Sequence, residues 1–214
     1  MRSERAKGIS SARSLFIWFL LVALAVPSVF RPVPAIAMTV SSEIGACLFT
    51  STVSWQATRR VYVVAHMTLP ADVERVWAVL TDYDNLAEYM PHLDKSEVLE
   101  RDGARLMLRQ EGSMWLPLVR LRSEAVMEVQ ESPPQVIAFK ATEGDYKVYE
   151  GQWRLQPSAQ GTDLFYEAVI EPRFRVPRCV LSAMERKILK GTFEAVLVRS
   201  SEPGEIILAK KQKF

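Results

Sequence analysis

Residues 68–91 read TLPADVERVWAVLTDYDNLAEYMP, and this stretch decides the fold. Val73, Val76, Trp77 and Leu80 recur at i, i+3, i+4 and i+7, the spacing of one apolar helical stripe. Pro70 stands near a helix start, where no amide bond is lost, and Asp72 suits the positive end of the helix dipole. Asp82-Tyr83-Asp84-Asn85 breaks this helix. Thr81 or Asp82 is placed to cap a second short helix, whose inward residues are Leu86, Tyr89 and Met90 and whose stop is Pro91. Two short helices with one apolar face each cannot stand alone. They need a sheet to cover.

The flanking sequence supplies one. Trp55 to Met67, dense in β-formers at Val61-Tyr62-Val63-Val64, predicts a strand before the helices. After Pro91 the apolar period falls to near two. Strands are expected over Ser96–Arg101, Arg105–Glu111, Val119–Glu131, Gln135–Thr142, Tyr146–Gln156 and Thr162–Glu171, parted by turns such as Asp102-Gly103, Pro133-Pro134 and Gln160-Gly161. No helix intervenes, so the sheet is antiparallel and meandering. Arg178 to Ser200 returns to a helical period, with Leu181, Met184, Ile188, Ala195 and Val198 expected on one side. At ~1.5 Å per residue such a helix crosses a whole small domain. The expected fold class is α+β: a curved antiparallel sheet of about six to seven strands around a long C-terminal helix.

The ends of the chain read differently. Arg2, Arg5, Lys7 and Arg13 precede an apolar run from Leu15 to Val26, and Ala35-Ile36-Ala37 offers a small-x-small cleavage site. Residues 1–37 are therefore expected to be a secretory signal, and the protein to be exported to a periplasm or the exterior; an uncleaved segment would instead anchor it to the membrane. Residues 38–54 are expected as a poorly ordered leader adding at most an edge strand, 55–201 as the domain, and 202–214 as a basic tail with Lys210, Lys211 and Lys213. Ile44-Gly45-Ala46-Cys47 faintly resembles a lipoprotein cleavage box, but it lies far from the apolar run. Removing the first 37 residues leaves 22 basic against 24 acidic side chains, which gives no electrostatic reason to expect nucleic acid. Cys47 and Cys179 form no CxxC or Cys/His cluster and imply no metal. They either pair in an oxidising compartment or serve as two small buried apolar side chains.

The stretch from Thr68 to Trp77, with Thr81-Asp82-Tyr83 and Tyr89-Met90-Pro91, resembles the opening motif of START-like (SRPBCC) proteins. The branch it is most similar to groups coenzyme-Q-binding proteins with polyketide cyclase/dehydrase homologues. Tyr149 to Leu155 and Gly161 to Glu167 resemble that branch's two closing strands, and Pro172 and Pro177 lead into the long helix as its chain does. The resemblance spans roughly residues 60–200 and implies the helix-grip fold. It does not choose among lipid carriers, quinone binders, cyclases and protein-binding modules.

Chemistry narrows the choice. His66 and His92 are the only histidines, and no nucleophile–His–carboxylate set, paired-carboxylate motif, glycine-rich phosphate loop or HExxH is present. Tyr146, Tyr166, Glu167 and Arg154 are the polar groups a cyclase would use, and on a solvated sheet face they would look the same. Met127, Phe139, Trp153 and Tyr166 from the strands, with Met184, Ile188 and Phe193 from the long helix, are the walls expected of an apolar ligand cavity, or else simply the core. Ser113 to Val119 is nearly all apolar where a polar turn is expected. Met114, Trp115 and Leu116 then form a lid or a transient membrane contact, or fold over the sheet edge. The leading expectation is a non-enzymatic binder of a hydrophobic small molecule, an isoprenoid quinone or a lipid, with no cofactor, no metal and no nucleic acid. A cyclase/dehydrase-like enzyme and a protein-binding module are the alternatives, and the sequence assigns no oligomeric state.

Overall fold

The structure is a computed structural model, described here for residues 37–55, 60–115, 120–174 and 176–201. The expected signal segment, save Ala37, and the basic tail lie outside the described residues. Strands β1 (Ala37–Ile44), β2 (Cys47–Trp55) and β3 (Val61–Leu69) come first, followed by helix α1 (Val73–Thr81), a 3-10 turn (Tyr83–Asn85) and helix α2 (Leu86–Tyr89). Strands β4 (Leu93–Asp102), β5 (Arg105–Trp115), β6 (Arg120–Ser132), β7 (Val136–Gly144), β8 (Tyr146–Ser158) and β9 (Gly161–Pro172) lead to helix α3 (Arg178–Ser200). The nine strands form one sheet in the order β1-β2-β3-β9-β8-β7-β6-β5-β4, antiparallel throughout. The meander from β4 to β9 is as expected; α1 and α2 carry the chain from β3 to the far edge.

The strand number exceeds the expected six to seven because residues 38–54 are not a poorly ordered leader. They fold as the β1–β2 hairpin about Gly45, whose φ of 62° is the left-handed value that suits glycine. On β2 the inward residues Phe49, Ser51 and Val53 are buried while Leu48, Thr50 and Thr52 are not. Two of those inward residues are serine and valine among Ser/Thr neighbours, so the alternation is weak in apolar terms though regular in burial.

The helix reading holds for α1. The Asp72 side chain accepts a hydrogen bond of 2.7 Å from the Arg75 amide, which satisfies one of the free donors of the first turn. Val73, Val76 and Leu80 are buried; Trp77 is half-buried against the same core. The expected cap of the second helix is different. Thr81 donates to the Trp77 carbonyl, and neither Thr81 nor Asp82 caps with its side chain; Asp82 instead accepts from the Asn85 amide group at 2.8 Å.

On α3 the buried residues are Leu181, Met184, Leu189, Phe193 and Val196, with Ser200 at the end. Val198, expected to face inward, is 53% exposed. Residues spaced by seven drift ~20° per heptad around a straight helix, so a face drawn through 181, 188 and 195 rotates off the core by the last turn. Phe193 and Val196 have no exposed surface. Phe193 packs between Phe49 of β2 (ring centroids 5.0 Å) and Trp153 of β8 (5.5 Å), and the Trp55 indole donates to Ser182 at 2.9 Å. Gly191 lets Pro91 press on the helix: a Cβ there would lie 2.8 Å from the proline ring. Cys47 and Cys179 are both free, Cys47 half-buried and Cys179 exposed, so neither is the buried apolar side chain considered above.

Truncating Phe193 removes the contact that β2 and β8 share with α3. Phe193→Ala is expected to lower unfolding free energy by about 3–5 kcal/mol, and Asp72→Ala by about 1 kcal/mol, both read from urea titrations at equal m-value.

Candidate ligand cavity

Beyond Phe193 the sheet curls away from α3, and the gap between them is a cavity of about 250 Å³. Its floor is the concave face of β5 to β9; its roof is α3 at Glu185, Ile188, Leu189 and Thr192; α1, α2 and the Met90–Leu93 segment close one side. That segment is strapped down at His92, whose φ of 66° is unusual outside glycine. Its carbonyl accepts from the Ser113 amide at 3.0 Å, and a Cβ on Gly112 would come within 2.8 Å of the same oxygen.

Of the residues expected to form the walls, Met127, Phe139, Trp153, Tyr166 and Ile188 line this cavity. Met184 does not. It is buried on an adjoining part of the helix, and the next residue, Glu185, takes the cavity-facing position. Phe193 is core. Met114 is buried, Trp115 is 72% exposed, and Leu116 lies outside the described residues. Ser113 to Trp115, expected in a connecting loop, are the end of β5 paired with Arg122 to Arg120. Glu167 and Arg154 pair with one another at 3.7 Å and do not reach the lining. Likewise His66 lies outside it, stacked on Phe165 and 3.3 Å from Asp163.

Aromatic rings run through the lining in unbroken contact. Tyr146 meets Tyr149 at 5.0 Å between centroids, Tyr149 meets Phe139 at 5.2 Å, Phe139 stacks with Tyr166 at 6.1 Å, and Tyr166 meets Trp153 at 4.5 Å. Each pair holds the next ring's orientation and adds ~0.5–1.5 kcal/mol beyond area burial. Tyr149 and Tyr146 both face the cavity although they are three residues apart. A strand would turn one of them outward, but the register with β9 slips between Tyr146 and Val148, and this bulge returns Tyr146 to the inner face. Residue identity alone carried no sign of it.

The polar groups gather at this end. Burial raises the Tyr166 phenol well above its ordinary range, and the neighbouring Tyr149 and Glu185 act in the same direction. Burial also raises Tyr149, which accepts a hydrogen bond from Tyr166. Tyr146 is raised by burial too, partly offset by a hydrogen bond from Ser123. Burial alone pushes the Glu185 carboxyl up to about 7. Sequence inspection missed Glu185 because a lone acid on a helix reads as a solvated side chain. Outside the lining Glu131 is buried and receives both guanidinium nitrogens of Arg101 at 3.2 and 3.3 Å, with Arg101 also over the ring of the lining residue Tyr83. Among the described residues no group of acidic, His and Cys side chains is arranged to hold a metal, and no helix is long and apolar enough to cross a membrane.

A long helix gripped by a curved antiparallel sheet over an apolar cavity defines the START-like, helix-grip class. The family model described as polyketide cyclase / dehydrase and lipid transport matches residues 69–196, more than half of the chain, and the protein belongs to that family. Solved structures agree in fold. The STAR-related lipid transfer protein of Xanthomonas axonopodis is 17% identical with a TM-score of 0.62, over 78% of this chain and 99% of that one. The Zhui aromatase/cyclase of Streptomyces sp. R1128 is 20% identical with a TM-score of 0.57, over 66% and 93%. Human StAR-related lipid transfer protein 5 is 8% identical with a TM-score of 0.58, over 76% and 86%. None of the curated proteins matches the chain.

The raised carboxyl has a consequence for stability. Folding moves Glu185 from 4.5 to about 7 and so favours its protonated form. That contribution is whole below the unfolded value and is lost as pH rises through the folded one. Glu185→Gln, neutral throughout, is expected to remove a loss of up to roughly 3 kcal/mol across this window. Urea titrations of both proteins at each end of it give the measurement.

Proposed function

We propose that this protein binds an apolar small molecule, an isoprenoid quinone or a lipid, between its sheet and α3, and carries it without transforming it. The observation that carries the reading is the cavity, walled by Met127, Val129, Ile137, Phe139, Trp153 and Ile188 and unfilled by the chain's own core. Its volume, about 250 Å³, is near the lower end of ligand pockets (~300 Å³). A ring-sized head or a short chain fits inside, with a longer tail directed outward. Family membership supports a hydrophobic guest or a cyclase/dehydrase chemistry.

Delivery fits an exposed aromatic at a strand end. Trp115 stands three residues beyond the cavity-lining Gly112, with the Arg120 guanidinium 5.9 Å from its ring centroid. An indole beside a cation suits the interface of a membrane, where its ring and its N–H find different surroundings. The apolar N-terminal run and its Ala35-Ile36-Ala37 site support export to a periplasm or the exterior.

The second reading, a cyclase/dehydrase-like enzyme, is favoured by one observation: Glu185 faces the same space as three tyrosine hydroxyls.

Protein purified from its own host's envelope is expected to release a quinone or lipid on organic extraction. Ile188→Trp, which fills the cavity, should abolish that yield with the fold intact by circular dichroism. An empty wild-type protein that also takes up no added quinone or lipid overturns the carrier reading. Trp115→Ser is expected to slow transfer to vesicles several-fold at unchanged binding. Loss of a chemical turnover on Tyr166→Phe, with ligand binding retained, would establish the enzyme instead.

A further inference from the structure

The cavity is uneven in charge. Among the described residues, its titratable lining side chains apart from tyrosines are Glu185 and His92, and no Lys or Arg lines it. Several other buried or half-buried carboxylates have cations beside them: Glu131 has Arg101, Glu167 has Arg154, and Glu171 has Arg60 and Lys147. Asp82 and Asp145, half-buried without an ion pair, accept hydrogen bonds from the Asn85 amide group and the Glu124 backbone amide instead. Glu185 has no ion pair and no hydrogen bond among the described residues. It faces Tyr146 and Tyr149 of β8 and Tyr166 of β9, closely enough to raise all three phenols. A carboxyl left without a cation in an apolar space meets an anionic guest with repulsion and no compensating charge. A neutral oxygen meets the hydroxyl donors of Tyr146 and Tyr149, since that of Tyr166 is given to Tyr149, and, when Glu185 is protonated, a third donor.

We propose that Glu185 is the specificity-determining residue of the cavity: with the hydroxyls of Tyr146 and Tyr149 it receives the neutral oxygen of a hydroxyl, ketone or quinone head, and it turns away anionic heads such as free fatty acids and phosphate-bearing lipids. The proposal rests on the carrier reading and narrows it to guests with uncharged heads.

The test uses three compounds that differ only in the head, octanol, octanoate and octylamine, each displacing a neutral fluorescent dye from the mature protein. Octanol is expected to bind, and octanoate to bind about tenfold more weakly or worse at a pH above about 7, where Glu185 is ionised. Octanoate affinity should fall as pH rises through that value. His92 is the other ionisable side chain on this lining besides the tyrosines, and Glu185→Gln separates its contribution from that of Glu185. In that variant most of the slope and most of the discrimination against octanoate should vanish. The wild-type pH profile gives an independent readout should the variant fold poorly. Equal affinity of the wild type for octanol and octanoate overturns this inference and leaves the carrier reading standing. So does tightest binding of octylamine that Glu185→Gln abolishes, since the site would then be one for cations. Displacement by none of the three compounds overturns this inference, and the carrier reading is then decided by uptake of quinone or lipid as above.

Discussion

The architecture depends on how little of α3 the sheet can hold. Phe193 and Val196 are wholly enclosed, with Phe49 and Trp153 closing on Phe193 from strands that are not neighbours. A sheet that closes on a helix at one point and continues to curl cannot close on it everywhere. Two turns toward the N-terminus of α3 the same sheet stands off, and Ile188 and Glu185 look into space. The cavity is thus a by-product of one tight contact and strand curvature. It needs no dedicated insertion.

What fills that gap in part is aromatic. Rings from β7, β8 and β9 meet in sequence from Tyr146 to Trp153, and the last of them leans on Phe193. The wall of the cavity and the anchor of the helix are therefore one packed series. A guest that shifts Trp153 or Tyr166 pushes on the residue that fixes α3. Interiors packed at this density transmit displacement readily.

The fold was legible because its signals are local. The Val73–Val76–Leu80 stripe, the Pro91 stop and the period-two runs after it each belong to one element, and each stands where the sequence placed it. The hairpin of β1 and β2 was not, because its inward position Ser51 and its Ser/Thr neighbours carry no apolar signature. For the cavity, the large apolar residues Met127, Phe139, Trp153 and Ile188 announced themselves. Met184 did so falsely, since one step along a helix is a rotation of about 100° and the sequence period fixes a face only within such a step. Glu185 and Tyr149 stayed hidden because their roles come from what surrounds them.

The bulge near Lys147 has a further meaning. It lets two tyrosines separated by three positions present themselves to one side of a strand that otherwise alternates. The polar end of the cavity is thus written in a count of residues as well as in their identities. Gain or loss of one residue between Tyr146 and Tyr149 would alter what α3 faces while leaving every neighbouring side chain unchanged. Pockets encoded this way diverge by insertion and deletion, so members of one family can keep the same sheet and differ in the chemistry of its deepest corner.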